Sequence, residues 1–183
     1  NLHRRRVRCP VSERPFQQSY RDHLAHCYGC GRLNQQGHQI KSYWDGEESV
    51  CHFLPNEKHI AIPGYVYGGL LASLVDCHGT GTAAAAAYRA EGRSMDSDPP
   101  LRFLTASLHV DYLKPTPLGV ELEVRGADVG HDRGVRTGRC GEVVQDVGAG
   151  AGGRVHLLQA LGQRAEAGRV GEVAALVVDA GSE

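Results

Sequence analysis

The sequence lacks the features that define several large classes of protein. None of its apolar runs reaches the roughly 18 residues that a membrane-spanning helix needs, and no signal-peptide pattern opens it. A formal net charge of -1 at pH 7 gives no electrostatic case for binding nucleic acid or an anionic membrane. Six cysteines in 183 residues are too few for a disulfide-built scaffold, so we expect reduced thiols and a cytoplasmic location.

Aromatic residues and lysine are missing from the C-terminal part of the chain. No Phe, Tyr or Trp follows Tyr112 and no lysine follows Lys114, whereas Gly, Ala, Val, Arg and Glu dominate. We therefore expect residues 131–183 to be a non-native continuation of the domain, as a reading-frame change in a GC-rich gene would produce, or else weakly coded closing strands. Residues 1–22 are expected to form an irregular basic arm, which leaves 23–130 as the domain.

The most informative stretch is an apolar segment that begins shortly after Pro63. Leucines and valines recur at helical spacing, five alanines in a row follow, and no proline interrupts them. The pattern predicts one long buried helix that starts near Gly68 and ends near Gly92. Asp76 lies in its middle. A carboxylate inside a buried helix costs on the order of several kcal/mol unless it is paired, neutralised or used, so Asp76 is the strongest functional signal.

Alternating patterns predict antiparallel strands on both sides of this helix. A hairpin that turns at residues 45–46 precedes the helix. The clearest strand, residues 103–113, follows it, and a second alternating strand comes next. In the first of these, the alternation places Leu104 and Val110 on one face and Thr105 on the other.

The start of the helix offers a place for a carbonyl oxygen. The first backbone N–H groups of a helix have no acceptor inside it, and the helix dipole favours negative charge there. Gly68 and Gly69 carry no side chain to shield these amides, so an oxygen that gains charge in acyl transfer could bind them. Asp76 could then act as a general base on water or attack as a nucleophile. A paired structural acid is the alternative.

The length of the helix makes a dimer the economical arrangement. Eight residues separate Gly68 from Asp76, which is roughly 12 Å along a helix. One reacting carbon needs both groups within a few Å, so a single chain cannot easily supply them together. A symmetric dimer can take the amides from one subunit and the carboxylate from the other.

A Cys-x-x-Cys sequence, Cys27 and Cys30, lies ahead of the first strands. One interpretation is a zinc site with His38 as a further ligand. The chain has no second Cys-x-x-Cys, however, so we favour a glycine-rich turn with two small buried thiols, and we expect no metal and no cofactor. Cys77 and His78, within the predicted helix, are interpreted as packing residues.

In this order and spacing, four segments resemble the hotdog-fold acyl-CoA thioesterases over roughly residues 23–128. The segments are Cys27–Gly31, Gly64–Gly69, Asp76 and Thr105–Pro115. The chain is most similar to the branch with the phenylacetate-degradation (PaaI-like) thioesterases and the proteins like thioesterase-superfamily member four. The resemblance implies an α+β hotdog fold, with one long central helix wrapped by an antiparallel sheet. It also implies a homodimer or a dimer of dimers, and hydrolysis of acyl-CoA thioesters without a cofactor.

The resemblance implies roles for individual residues as well. Asp76 corresponds to the family's catalytic acid, and Gly68 and Gly69 correspond to the glycines whose amides bind the thioester carbonyl. Thr105 matches a Ser or Thr that helps to place the water. Tyr67 stands where the family usually has the histidine of His-Gly-Gly; it keeps a hydrogen-bonding group and is expected to line the substrate site. A non-catalytic hotdog domain that binds acyl-CoA or a protein partner is the alternative function.

Overall fold

A long helix packs against a six-stranded antiparallel sheet in this computed structural model, which describes residues 13–101, 103–112, 114–128, 139–149 and 153–162. The helix, α1, spans Gly68–Ala90. The strands are β1 (Ser42–Asp45), β2 (Glu48–Phe53), β3 (Leu104–Val110), β4 (Leu122–Asp128), β5 (Arg139–Ala149) and β6 (Gly153–Gly162). Their order in the sheet is β1-β2-β4-β5-β6-β3, with antiparallel pairing throughout. The predicted α+β architecture is confirmed.

The ends of α1 follow from local backbone conformation. Tyr67, just before the helix, is extended, and Gly92, just after it, has φ 64°, the left-handed conformation that glycine adopts without strain. Between these ends, Leu74 and Val75 are fully buried against Leu122 and Val124 of β4. No helix in the described part of the chain is long and apolar enough to cross a membrane.

Strands β5 and β6 lie within the region beyond residue 130. They stand between β4 and β3 in the sheet, and β5 pairs along the whole of β4, from Leu122↔Ala149 to Asp128↔Val143. Within the described sheet, β5 and β6 are therefore the strands that link β4 to β3. The domain boundaries and the non-native origin of residues 131–183 stay predictions, and residues 163–183 lie outside the described residues.

Part of the expected N-terminal arm packs onto the domain. Phe16 is 3% exposed, and its ring lies 5.2 Å from that of Trp44. The Gln17 side chain accepts a hydrogen bond from the Ser42 backbone N–H at 2.8 Å and donates one to the Ser42 hydroxyl at 3.1 Å. The packed structure thus begins at Phe16 or earlier, while residues 1–12 lie outside the described residues.

A buried polar cluster lies between α1 and the first two strands. His78 is buried, as the sequence predicts, but it also forms hydrogen bonds: Nε2 lies 3.0 Å from the Ser49 hydroxyl and Nδ1 2.9 Å from the Ser42 hydroxyl. Ser49 Oγ is 2.5 Å from Thr82 Oγ1. A Cβ at Gly126 would lie 2.9 Å from Ser49 Oγ, so the glycine leaves room for the cluster. Burial lowers the pKa of His78 to about 3, and the ring is therefore neutral at pH 7.

Candidate active site

Asp76 lies at the middle of α1 and is half-buried. Its Oδ1 accepts a hydrogen bond from the Thr105 hydroxyl on β3. Thr80, one turn later on α1, places its hydroxyl 3.2 Å from that of Thr105 and donates to the Asp76 backbone carbonyl at 2.8 Å. The helix and β3 therefore meet at a carboxylate bordered by two hydroxyls. A carboxylate held in this way can take a proton from a water molecule that binds beside it.

A β-bulge in β3 turns Thr105 towards the helix. The register of the β3–β6 pairing shifts between Thr105 and Ser107, so residue 106 is an extra residue in the strand. An extra residue reverses the inward and outward alternation beyond it. Thr105 therefore shares the helix side of the sheet with Val110, which packs on the core, while Leu104 is 78% exposed. The predicted alternation, with Leu104 and Val110 together and Thr105 opposite, is wrong.

Two tyrosine rings lie against the glycine pair at the start of α1. The Tyr67 ring folds back over Gly69, where a Cβ would lie 2.1 Å from the Tyr67 hydroxyl. Tyr112 donates its hydroxyl to the Gly68 carbonyl at 2.9 Å, and its ring lies 3.3 Å from the position of a Gly68 Cβ. Partial burial and, secondly, the nearby Tyr67 raise the pKa of Tyr112, which keeps its hydroxyl a donor. The side chains of Tyr67 and Tyr112 therefore border the glycine pair, while the availability of the two amides to a carbonyl oxygen stays a prediction.

The predicted site residues fall into two groups within one chain. Asp76 and Thr105 are in contact at the middle of α1, whereas Tyr67, Gly68 and Gly69 are at its N-terminus. Because residues 68–76 belong to one uninterrupted helix, the two groups are roughly 12 Å apart. The structure thus brings the acid and the threonine together, and it does not bring the glycines of the same chain to them.

Three thiols gather beside the acid. The Sγ atoms of Cys27, Cys30 and Cys77 lie within 4.8 Å of one another. Hydrogen bonds from Cys30 and then Cys77 lower the pKa of Cys27. Hydrogen bonding with Cys27 raises the pKa of Cys30 to about 12 and raises that of Cys77, and the Asp76 carboxylate adds to the rise at Cys30. The packing interpretation of Cys77 missed this cluster, since no local pattern relates it to the Cys-x-x-Cys pair.

Comparisons with protein families and with solved structures give matches that agree with each other. A thioesterase superfamily model matches residues 63–129. A thioesterase superfamily protein from Shewanella loihica PV-4 is 43% identical over 77% of this chain and 97% of its own, with a TM-score of 0.51. A search of curated protein sequences gave no match.

Two solved structures at lower identity share the fold. The PaaI protein of the E. coli phenylacetic acid degradation operon is 14% identical over 67% of this chain and 75% of its own, with a TM-score of 0.50. A thioesterase from Haemophilus influenzae is 11% identical over 72% and 82%, with a TM-score of 0.54. The shared arrangement is a long helix against an antiparallel sheet, which is the predicted hotdog fold.

Proposed function

The chain belongs to the thioesterase superfamily, and we propose that it hydrolyses acyl-CoA thioesters to the free acid and CoA. Membership in the superfamily supports thioester hydrolysis in general; the acyl-CoA substrate and the residue roles below belong to the proposal. The observation that most supports the proposed residue roles is the half-buried Asp76 carboxylate, which accepts a hydrogen bond from Thr105 at the bulge of β3. A bulge beside a polar group inside a packed fold is a feature that proteins use at active sites.

In the proposed reaction a water molecule attacks the thioester carbonyl carbon. The Asp76 carboxylate takes a proton from that water as the new C–O bond forms. The carbonyl oxygen gains negative charge, which the backbone N–H groups of Gly68 and Gly69 stabilise. The C–S bond then breaks, and the CoA sulfur leaves with the proton that Asp76 had taken. Thr105, through its hydrogen bond to the carboxylate, keeps Asp76 oriented and helps to place the water.

We also propose that the acid and the amides come from different subunits of a homodimer. The roughly 12 Å between Gly68 and Asp76 on one helix is too long for both to act on one carbon. Within the described residues β3 is an outermost strand of the sheet, with Leu104 78% and Leu108 37% exposed. An exposed apolar edge strand favours pairing with a second copy.

One observation favours the alternative, a hotdog domain that binds acyl-CoA or a protein partner without hydrolysis. Tyr67 replaces the histidine of the usual His-Gly-Gly, and its ring covers Gly69. A thioester carbonyl that approaches the amides must displace this ring or pack against it, so Tyr67 lines the substrate site in either function. A ring that stayed in place would permit binding nearby while blocking the approach to the amides.

A thiol-release assay distinguishes the two functions. The purified chain is incubated with short-chain, long-chain and aromatic acyl-CoAs while free CoA is measured with a thiol reagent, and its melting temperature is measured with each. We expect CoA release with at least one member of the panel. A raised melting temperature without CoA release would favour the binding domain, and neither effect with any acyl-CoA would contradict both.

Replacing Thr105 with valine is expected to lower kcat/KM by about ten- to a hundredfold. The variant loses one hydrogen bond to a charged group, which is worth about 1.5–3 kcal/mol, and each 1.4 kcal/mol is about tenfold in rate. Valine keeps the branched shape and the strand preference of threonine, so the fold should persist. Thr105→Ser, the matched control, retains the hydroxyl and should stay within about threefold of the original chain. Equal activity of the valine and serine variants would remove the hydroxyl from the mechanism.

A further inference from the structure

We propose that Cys27, Cys30 and Cys77 form a zinc site whose fourth ligand is a water molecule. The proposal is independent of the hydrolytic function. Cys27 and Cys30 come from the loop before β1 and Cys77 comes from α1, so the ion would join two elements that are far apart in the sequence. The sequence alone favours no metal, because only the fold places Cys77 beside the Cys-x-x-Cys pair. His38, the ligand suggested by sequence, is not one of the three.

The spacing of the sulfur atoms fits one small ion. A tetrahedral zinc ion with Zn–S bonds of about 2.3 Å holds its sulfur ligands about 3.8 Å apart. Cys27 Sγ and Cys77 Sγ are 3.6 Å apart, and all three sulfur atoms lie within 4.8 Å of one another. Thiolate ligands suit zinc, whereas Mg²⁺ and Ca²⁺ take oxygen ligands, so this donor set favours zinc over a hard cation.

The turn that carries Cys27 and Cys30 is closed by a backbone hydrogen bond. The Gly31 N–H donates to the Cys27 carbonyl at 2.8 Å. This bond holds the backbone that carries the two sulfur ligands in place before an ion arrives.

Two glycines permit the turn and its close approach to α1. A Cβ at Gly29 would lie 2.2 Å from Cys77 Sγ, and a Cβ at Gly31 would lie 2.5 Å from the Cys27 backbone N. Real Cβ atoms do not come so close, so another residue at Gly29 would push the loop away from the helix, and another residue at Gly31 would open the turn. The backbone at Gly29 therefore lies directly against Cys77, the third ligand of the proposed site.

The burial of the three residues sets where the ion enters and what completes its coordination. Cys27 is exposed, Cys30 is half-buried and Cys77 is 8% exposed. An ion can therefore reach the cluster from the Cys27 side, where a water molecule takes the fourth tetrahedral position. Binding releases the protons of those thiols that are still protonated, so zinc affinity falls as the pH falls.

The site would hold the loop to α1 at the residue that follows Asp76. Zinc binds the folded chain, and three ligands brought together from separate elements are not available in the unfolded one. We therefore expect zinc to raise the melting temperature and a chelator to lower it. This readout does not depend on any hydrolytic activity.

Metal analysis of the full chain tests the proposal. The reduced protein is incubated with one equivalent of zinc chloride, desalted, and analysed for zinc and for thiols that react with a thiol reagent. We expect about one zinc per chain and protection of three thiols, lost on addition of a chelator. Less than about a tenth of an equivalent of zinc would overturn the proposal.

Single variants test the ligands. Cys27→Ser and Cys30→Ser should each lower zinc affinity at least about tenfold, because each removes one of three thiolate ligands. Cys51→Ala is the matched control, since Cys51 is a buried thiol of β2 outside the cluster, and it should retain zinc as the original chain does. If both serine variants retained as much zinc as the original chain, the metal would be adventitious and the proposal would be overturned.

Cobalt substitution gives a measurement that needs no variant. Co²⁺ bound by thiolates has intense near-ultraviolet charge-transfer bands, so the three-thiolate site should show them in the original chain. Their absence would contradict the proposal even if the serine variants fail to fold. A chain that takes up no metal and is two hydrogens lighter in mass would carry a disulfide. The 3.6 Å between the sulfur atoms of Cys27 and Cys77 would allow this bond to form under an oxidant. That result would also overturn the zinc proposal.

Discussion

Replacing Asp76 with asparagine is expected to lower kcat/KM for acyl-CoA hydrolysis by about a hundred- to ten-thousandfold. This is the usual contribution of a positioned general base, and asparagine cannot take the proton from water. The change is nearly isosteric, and the asparagine carbonyl can still accept the hydrogen bond from Thr105. The melting temperature and the oligomeric state should therefore stay close to those of the original chain. Thiol release with the best acyl-CoA of the panel measures the effect.

The matched control for Asp76→Asn is Glu47→Gln. The Glu47 side chain is 96% exposed, in the turn between β1 and β2, so this change removes one negative charge at a place remote from the proposed site. Activity should be unchanged in the control. Full activity in the asparagine variant would remove Asp76 from the mechanism. Loss of activity in both variants would point to net charge or stability as the cause.

The second large effect expected is a loss of stability in acid that depends on His78. Burial lowers the pKa of His78 to about 3, whereas an unfolded histidine has a pKa of about 6.5. Below about pH 6.5 the unfolded chain therefore binds a proton that the folded chain does not bind, so lowering the pH favours unfolding. His78 should contribute its full stabilisation above about pH 6.5 and lose it as the pH falls towards 3. Over most of this window the loss approaches about 1.4 kcal/mol per pH unit.

Urea unfolding at several values of pH measures this dependence. The slope of the unfolding free energy against pH should be smaller in His78→Gln by about one proton, since glutamine can hydrogen-bond Ser49 and Ser42 but does not titrate. His26→Gln, at an exposed position, is the control and should leave the slope almost unchanged. An identical slope in His78→Gln and the original chain would mean that His78 is protonated in the fold.

Features determined by local chemistry could be predicted from the sequence. The apolar periodicity and Gly92 gave the correct ends of α1, and the Asp45-Gly46 pair gave the hairpin between β1 and β2, with Gly46 at φ 69°. The position of Asp76 within the helix follows from the same pattern. Each of these depends on residues close in sequence, where propensity and turn chemistry act directly.

Features determined by tertiary contacts could not be predicted. The bulge at residue 106 leaves no trace in a strand whose apolar and polar residues alternate without a break, because it arises in the pairing with β6. The cluster of thiols depends on where the loop of Cys27 meets α1. Strands β5 and β6 contain few bulky residues, so their sequence barely distinguishes strand from helix; backbone pairing with β4 and β3 defines them.

The sheet order has a consequence for the newly made chain as it leaves the ribosome. Among the described strands β3 pairs only with β6, which is synthesised roughly fifty residues later. Until that hairpin emerges, the strand with Thr105 has no neighbour in the sheet, and nothing holds its hydroxyl beside Asp76 through strand pairing. Thr105 and Asp76 are therefore brought together late in the folding of the nascent polypeptide, because the long-range pairing of strands in a sheet is slow. A product truncated before β6 would contain the helix with Asp76, but β3 would lack the strand that holds Thr105 beside it.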